Sequence, residues 1–282
     1  MTTADGQPAH TAVETISTTQ RVAFTLALAA GSRAIYVRDW LLGRIRRPKP
    51  LAGVVLTPLT IESGRNRLSA LFATPASGAA KGAALICHGI GEVVEQWAPI
   101  QQMLAMRGVA SLVFDYSGYG HSTGWPAPAQ IEQDAIAAHA RLRALTRAPV
   151  SLLGFSLGTG VVPAILDRVQ AHRLVLCAGF TSFRAAAHCV GVPLKLARYV
   201  PPAWDSEAAL RATTQQVLVV HSTHDRLFPV AMGETLAGWC RPRARLLVME
   251  GLRHNEPFYR PTEAYWAPIA EFLAAGNEES AG

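Results

Sequence analysis

The chain has 282 residues, half of them apolar and 16% charged, with 26 Lys+Arg against 20 Asp+Glu for a formal charge of +6. This is too rich in core-forming residues for a disordered chain, and its apolar runs are too often interrupted for a polytopic membrane protein. The cations are nearly all Arg and form no tract interleaved with aromatics, so no nucleic-acid partner is expected despite a pI near 9.5.

At the N-terminal end Val22 to Ser32 is free of charge, but so short a run cannot cross about 30 Å of hydrocarbon as a helix. The stretch before it holds Arg21 as its one cation, opposed by Asp5 and Glu14, which disfavours a secretory leader. A cytoplasmic protein is expected, with export or attachment at a membrane surface as the alternatives. Beyond it, Arg33, Arg38, Arg44, Arg46, Arg47 and Lys49 surround Ile35, Val37, Trp40, Leu41 and Ile45. Residues 1–50 are therefore read as a basic helical extension packed on the main domain, the alternative being weak peripheral association with an anionic membrane.

From Leu51 onward, Pro and Gly divide the chain into short apolar runs alternating with helical patterns, the signature of βα units. Strands are expected at Gly53–Ile61, Leu68–Thr74, Ala83–Cys87, Ala110–Phe114, Val150–Gly154, Arg173–Cys177, Val217–His221 and Arg245–Met249. The last six are near-continuous apolar runs, as parallel strands covered on both faces require. Helical spacing is seen at Glu95–Arg107, Ile131–Thr146, Leu157–Val169, Val230–Cys240 and Thr262–Ala275, with a kink or irregular turn expected at Pro163. The expected fold is α/β, an eight-stranded mostly parallel sheet flanked by helices within residues 51–275.

One connection, Thr181 to Gln216, is far longer than a βα unit needs. It carries Phe183, Val190, Val192, Leu194, Leu196, Tyr199 and Trp204 between Pro193, Pro201 and Pro202, and a small lid over about residues 181–216 is expected. Residues 276–282 read as a polar, frayed tail. Cys87, Cys177, Cys189 and Cys240 lack metal-ligand or CxxC spacing and read as free thiols, so neither a structural zinc nor a disulfide framework is expected.

The strongest chemical signal is Gly154-Phe155-Ser156-Leu157-Gly158, directly after an apolar strand and before a helical run. A nucleophile on such a turn projects its hydroxyl above the sheet, and small residues two positions away on each side let neighbouring backbone pass. The structural alternative for Ser156 is a helix N-cap. A serine hydroxyl needs a base near neutral pH, and the base needs a group that fixes its tautomer. His254 follows the eighth predicted strand and Asp225 the seventh, each at a C-terminal end. The order Ser156, Asp225, His254 fits one hydrolase arrangement and excludes those of chymotrypsin and subtilisin.

Amide donors for an oxyanion are expected from Leu157, at the start of a helix, and from Ile90 in His88-Gly89-Ile90-Gly91-Glu92. His88, Asp115, His121, His221 and His224 are read as structural.

At these residues the chain resembles the α/β-hydrolase superfamily over about Gly53 to Ala275. HGIGEVVEQW from His88 and FDYSGYGHSTG from Phe114 are similar to the small-lid serine hydrolases of the monoacylglycerol lipase, lysophospholipase and serine aminopeptidase-like group. The resemblance implies an antiparallel second strand, catalytic Ser156, Asp225 and His254, a lid between strands six and seven, and no metal or organic cofactor. The function expected is serine-dependent cleavage of a small-molecule carboxylic ester with an apolar acyl or alcohol group. An acyltransferase or thioesterase would use the same triad, and a peptidase or an inactive binding protein is the remoter alternative.

Overall fold

The structure, a computed structural model, describes residues 18–193, 200 and 203–275. Leu194, Leu196, Tyr199, Pro201 and Pro202 of the expected lid, the first seventeen residues and the 276–282 tail lie outside them.

Eight strands form one sheet: β1 (Val54–Ser63), β2 (Asn66–Pro75), β3 (Gly82–Cys87), β4 (Val109–Phe114), β5 (Val150–Phe155), β6 (Arg173–Cys177), β7 (Gln216–Ser222) and β8 (Ala244–Met249). Their spatial order is β1-β2-β4-β3-β5-β6-β7-β8, with β2 antiparallel to both neighbours and every later pair parallel. The β1–β2 hairpin runs further than the apolar pattern alone indicates, because Glu62, Ser63, Asn66 and Arg67 continue the pairing up to a two-residue turn at Gly64 (φ +58°).

The central strands are buried on both faces, which explains their unbroken apolar runs. Leu85 and Cys87 of β3 face one core, while Ala84 and Ile86 face the other; Leu112 and Val113 of β4 divide in the same way. On one side pack α3 (Pro128–Leu145), α4 (Gly158–Ala164) and the helix Val230–Trp239, and on the other α2 (Val94–Met106) and the helix Glu263–Ala274.

The helix after β5 is shorter than its sequence pattern suggests. Leu157–Val169 was expected, but α4 ends at Ala164, one residue past Pro163, and the chain continues as turns. Past Pro163 the amides of Ile165, Leu166 and Arg168 reach back three residues, to Val162, Pro163 and Ile165, so the chain tightens into turns. Proline alone does not end a helix here, since Pro99 and Pro268 lie within α2 and the helix Glu263–Ala274, which run on past them.

The N-terminal segment forms a 24-residue helix, α1 (Thr18–Leu41). Among the described residues no helix is long and apolar enough to cross a membrane. Leu28, Ser32 and Asp39 are buried at helical spacing and mark the face that α1 turns to the body. Asp39 is fully buried and accepts four hydrogen bonds: Arg38 Nε (3.0 Å) and Arg44 Nη1 (3.2 Å) on Oδ1, Gln96 Nε2 (3.0 Å) and Tyr259 Oη (2.7 Å) on Oδ2. Burial works against its charge, but Tyr259, Gln96 and Arg38 outweigh it and hold the carboxyl below its usual range. One carboxylate thus ties α1 to α2 and to α8, the short helix Glu256–Tyr259 that follows the eighth strand. (The intervening short helices, α5 to α7, are Phe183–Cys189, Glu207–Ala212 and Val230–Trp239.)

Replacing Asp39 by Ala removes the shared acceptor of the buried Gln96 amide and the part-buried Tyr259 hydroxyl, and a loss of roughly 2 kcal/mol in urea unfolding is expected. A midpoint equal to wild type would show that α1 does not contribute to the stability of the fold.

Candidate active site

Parallel pairing sets the site. β3 and β5 are neighbours, with Cys87 beside Gly154, so the loops that leave their C-terminal ends emerge side by side. β7 and β8 are likewise paired up to Ser222 and Met249, which brings the Asp225 and His254 loops together.

Ser156 has φ +50°, in the left-handed region that few non-glycine residues adopt. Its backbone is held there by Ser156 N donating to Cys177 O (3.0 Å), and by Thr159 N (3.0 Å) and Thr159 Oγ1 (2.6 Å) donating to Ser156 O. The flanking glycines are steric necessities. A Cβ at residue 154 would lie 2.6 Å from Gly158 O, and one at residue 158 would lie 1.8 Å from Cys87 O. The hydroxyl does not cap α4; it meets an imidazole instead.

His254 Nε2 lies 2.8 Å from Ser156 Oγ, and His254 Nδ1 lies 2.7 Å from Asp225 Oδ2. The other carboxylate oxygen, Oδ1, accepts the amides of Leu227 (2.8 Å) and Phe228 (2.9 Å), which fixes the plane of the group. An acceptor-only Asp225 places the imidazole proton on Nδ1 and leaves Nε2 to accept from the serine. Burial raises the Asp225 pKa, yet the hydrogen bonds from His254 and the two amides prevail, so the carboxyl titrates below its usual range. All three side chains belong to residues less than a tenth exposed. The Phe228 ring stands edge-on to the imidazole at 5.0 Å.

The neighbouring histidines stay outside this chain of bonds. His221 Nε2 donates to Phe228 O (2.9 Å), and burial lowers its pKa, keeping it neutral 3.6 Å from Asp225. His224 is exposed beside Thr223. Burial pushes the Cys87 and Cys177 thiols up to about 12, which removes them as competing nucleophiles.

The loop after β3 presents the other half of the site. Among the described residues the amides of Ile90 and Leu157 donate to no protein acceptor, as donors meant for a developing oxyanion would. Gly91 has φ +71°, and a Cβ there would lie 2.4 Å from Ile35 Cβ of α1. The Ile90 side chain reaches Gly31 of the same helix. The N-terminal helix is therefore packed directly on the loop that carries the expected oxyanion donor.

Two buried carboxyls brace this loop: Asp115, read from the sequence as structural, and Glu92, for which the sequence suggested no role of its own. Glu92 Oε2 accepts Gly89 N (2.7 Å) and Trp97 Nε1 (3.0 Å), and burial pushes its pKa up to about 8. Asp115 accepts the amides of Val94 (2.9 Å) and His121 (3.3 Å), and burial with the charge of Glu95 raises it to about 8 as well. His88 is buried against Tyr116 with its pKa lowered by burial to about 4, so it is a neutral part of the loop's frame. The one signal for Glu92 was its position three residues after Gly89 in the HGIGE run.

Between β6 and β7 the chain forms α5 and α6. Ser182 caps the first by accepting Ala185 N (3.2 Å). Phe183 meets Trp204 edge-on at 5.5 Å, Phe180 meets Phe183 at 6.1 Å and Phe228 at 5.4 Å, so aromatic contacts run from this segment to the ring beside His254.

Comparison with known proteins agrees with this architecture. The sequence model of a family described as "Serine aminopeptidase, S33" matches residues 78–207. An uncharacterized Mycobacterium tuberculosis protein is 29% identical over 196 residues, 68% of this chain and 69% of that one. The human alpha/beta hydrolase domain-containing protein 17B is 28% identical over 204 residues, 70% and 68% of the two chains. Among solved structures, the esterase domain of a Rhodothermus marinus protein superposes with TM-score 0.60 at 20% identity, covering 78% of this chain and 96% of that one. The enol-lactonase of Burkholderia xenovorans superposes with TM-score 0.62 at 18% identity, covering 77% and 100%.

Two outcomes test the local physics. Gly158→Ala forces its methyl into the Cys87 carbonyl and is expected to give protein with a thermal midpoint many degrees below wild type; an unchanged midpoint would contradict the packing at this turn. Glu92, raised from 4.5 to about 8, binds its proton more tightly folded than unfolded, so its contribution to stability falls as pH rises through that window and levels off above it. Glu92→Gln keeps an acceptor for Gly89 and Trp97 without titrating. It is expected to narrow the gap between urea midpoints at mildly acidic and mildly alkaline pH, leaving the part due to Asp115, and an unaltered gap would count against it.

Proposed function

We propose, for a chain that belongs to the α/β-hydrolase superfamily, that Ser156, His254 and Asp225 cleave a carboxylic ester through an acyl-serine intermediate. The reading rests above all on the unbroken line from hydroxyl to imidazole to carboxylate, at 2.8 and 2.7 Å. Ser156 Oγ attacks the acyl carbon while His254 Nε2 takes its proton. Asp225 keeps the ring in the required tautomer and stabilises the imidazolium that forms. The Ile90 and Leu157 amides receive the negative charge on the carbonyl oxygen, a contribution of about 10²- to 10³-fold per donor in comparable sites.

Collapse of the tetrahedral intermediate expels the alcohol, which leaves with the proton from His254. Water then attacks the acyl-serine, giving its proton to His254, and the acid departs as Ser156 regains its hydrogen. Side chains, backbone amides and water supply every atom and charge of this cycle. The aromatic contacts from Phe180 and Phe183 to Trp204 and Phe228 support an apolar acyl group. The esterase and the lactonase among the solved structures of similar fold are named for bonds of this class.

Ser156→Ala is expected to abolish hydrolysis of p-nitrophenyl butyrate and labelling by a fluorophosphonate; retention of either at the wild-type level would refute the assignment. Asp225→Asn is expected to lower kcat by up to about 10⁴-fold, since an uncharged partner no longer enforces the tautomer. A kcat within twofold of wild type would remove Asp225 from the mechanism. Rates rising from acetate to octanoate esters would support the apolar acyl site, and faster cleavage of aminoacyl amides would replace it with a peptidase.

A further inference from the structure

His254 also stands in the wall of an open cleft of about 870 Å³, and the charge of that cleft is one-sided. Arg44, Arg226, Arg253 and Arg260 line it, against the single carboxylate of Glu256. Among the described residues the guanidinium groups of Arg226, Arg253 and Arg260 have neither an acidic nor a hydrogen-bonding partner. Arg44 is pinned: it donates to Asp39 and lies over the Tyr259 ring at 4.4 Å. Asp39 already answers both Arg38 and Arg44, so it does not neutralise the cluster. An adjoining cavity of about 530 Å³ shares Arg44, Tyr259 and Arg260 with the first and adds Arg46, Arg47 and Lys49 against Glu95. The excess of cations in the two cavities is close to the whole formal charge of +6.

Of the four residues given a part in the reaction besides Asp225, the lining of this cleft includes His254 and none of Ser156, Ile90 and Leu157, so the cleft adjoins the proton donor's side of the site. The leaving oxygen takes its proton from His254, so the alcohol side of the ester lies against that ring. We propose that the cleft is the leaving-group subsite and that it selects esters whose alcohol or thiol portion carries a phosphate-type anion. This rests on the ester-hydrolase reading and adds to it the chemical class of the substrate. The anion undergoes no chemistry; it stays on the departing alcohol, and the arginines bind it through charge-assisted hydrogen bonds. Two sources offer this chemistry, a soluble phosphorylated ester and a lipid headgroup. The exposed Trp40, Leu41 and Leu42, directly before the basic run that begins at Arg44, give a bilayer-borne ester a surface on which to be met.

The test compares butyrate release from monobutyrylglycerol and from monobutyrylglycerol phosphate, which share their acyl group. A kcat/KM at least about tenfold higher for the phosphate ester is expected at low salt, shrinking severalfold at high salt. In Arg226→Gln/Arg253→Gln the ratio of the two rates should fall toward one, and because it is a ratio within one preparation it is insensitive to the amount of folded enzyme. Oleoyl analogues in phosphatidylcholine vesicles separate the sources: a phosphate preference only there assigns the anion to a membrane lipid, and a preference in free solution assigns it to a soluble ester.

Equal kcat/KM for both esters in both formats, with the neutral ester still hydrolysed and that activity lost in Ser156→Ala, would overturn the subsite and leave the hydrolase reading intact. Failure to turn over any ester would remove the hydrolase reading, and the anion site would then stand or fall on calorimetric binding of glycerol 3-phosphate to wild type and its loss in the double variant.

Discussion

The close approach of the turn after β5 to the end of β3 is the constraint from which the site follows. Gly158 lies so near the Cys87 carbonyl that no side chain fits, and this contact presses the start of α4 against the third strand. Ser156 is left with a single way through, the left-handed conformation that lifts its hydroxyl clear of the sheet. The same proximity sets the Leu157 amide beside the loop that carries Ile90. The Ser156 hydroxyl and the Leu157 amide are thus placed by one steric condition, upon a sheet whose parallel pairing already directs both loops to the same edge.

Buried carboxyls around that edge show how environment, more than burial, sets their charge. Asp39 and Asp225 are both shielded from solvent, yet each accepts enough donors to remain ionised, two arginines among them at Asp39 and an imidazole with two amides at Asp225. Glu92 and Asp115 accept fewer bonds, mostly from neutral amides, and carry pKa values near 8. The first pair therefore act as anions, one tying α1 to the body and the other orienting an imidazole. The second pair hold loops by hydrogen bonding while staying mostly protonated, so they add little negative field beside the Ile90 and Leu157 amides.

The N-terminal helix belongs to this arrangement. Ile35 against Gly91 and Gly31 against Ile90 put α1 on the outer side of the loop after β3, and Asp39 extends the contact to Gln96 of α2 and Tyr259 of α8. His254 lies five positions before Tyr259, so one buried group on α1 is coupled to structure on both flanks of the reacting centre. This docking carries Arg44, which follows α1, into the wall of the cleft that His254 shares, and Arg46, Arg47 and Lys49 into the adjoining cavity.

By itself the sequence determined the elements and their order. Parallel strands such as Ala83–Cys87 and Arg173–Cys177 announce themselves because both faces are buried, and GFSLG declares a turn because its glycines are sterically required. The order of Ser156, Asp225 and His254 was legible for the same reason, since each follows a recognisable strand at its C-terminal end. What the chain order could not convey was distance. Asp39 looked like one more charge in a basic run, Glu92 like a loop residue, and Pro163 like a kink in a longer helix. Their roles arise from partners remote in sequence, Tyr259 220 positions away from Asp39, and from the scarcity of space beside Gly91. Local pattern encodes which face of an element is apolar; only tertiary packing decides which polar groups are enclosed together, and so which of them carry charge.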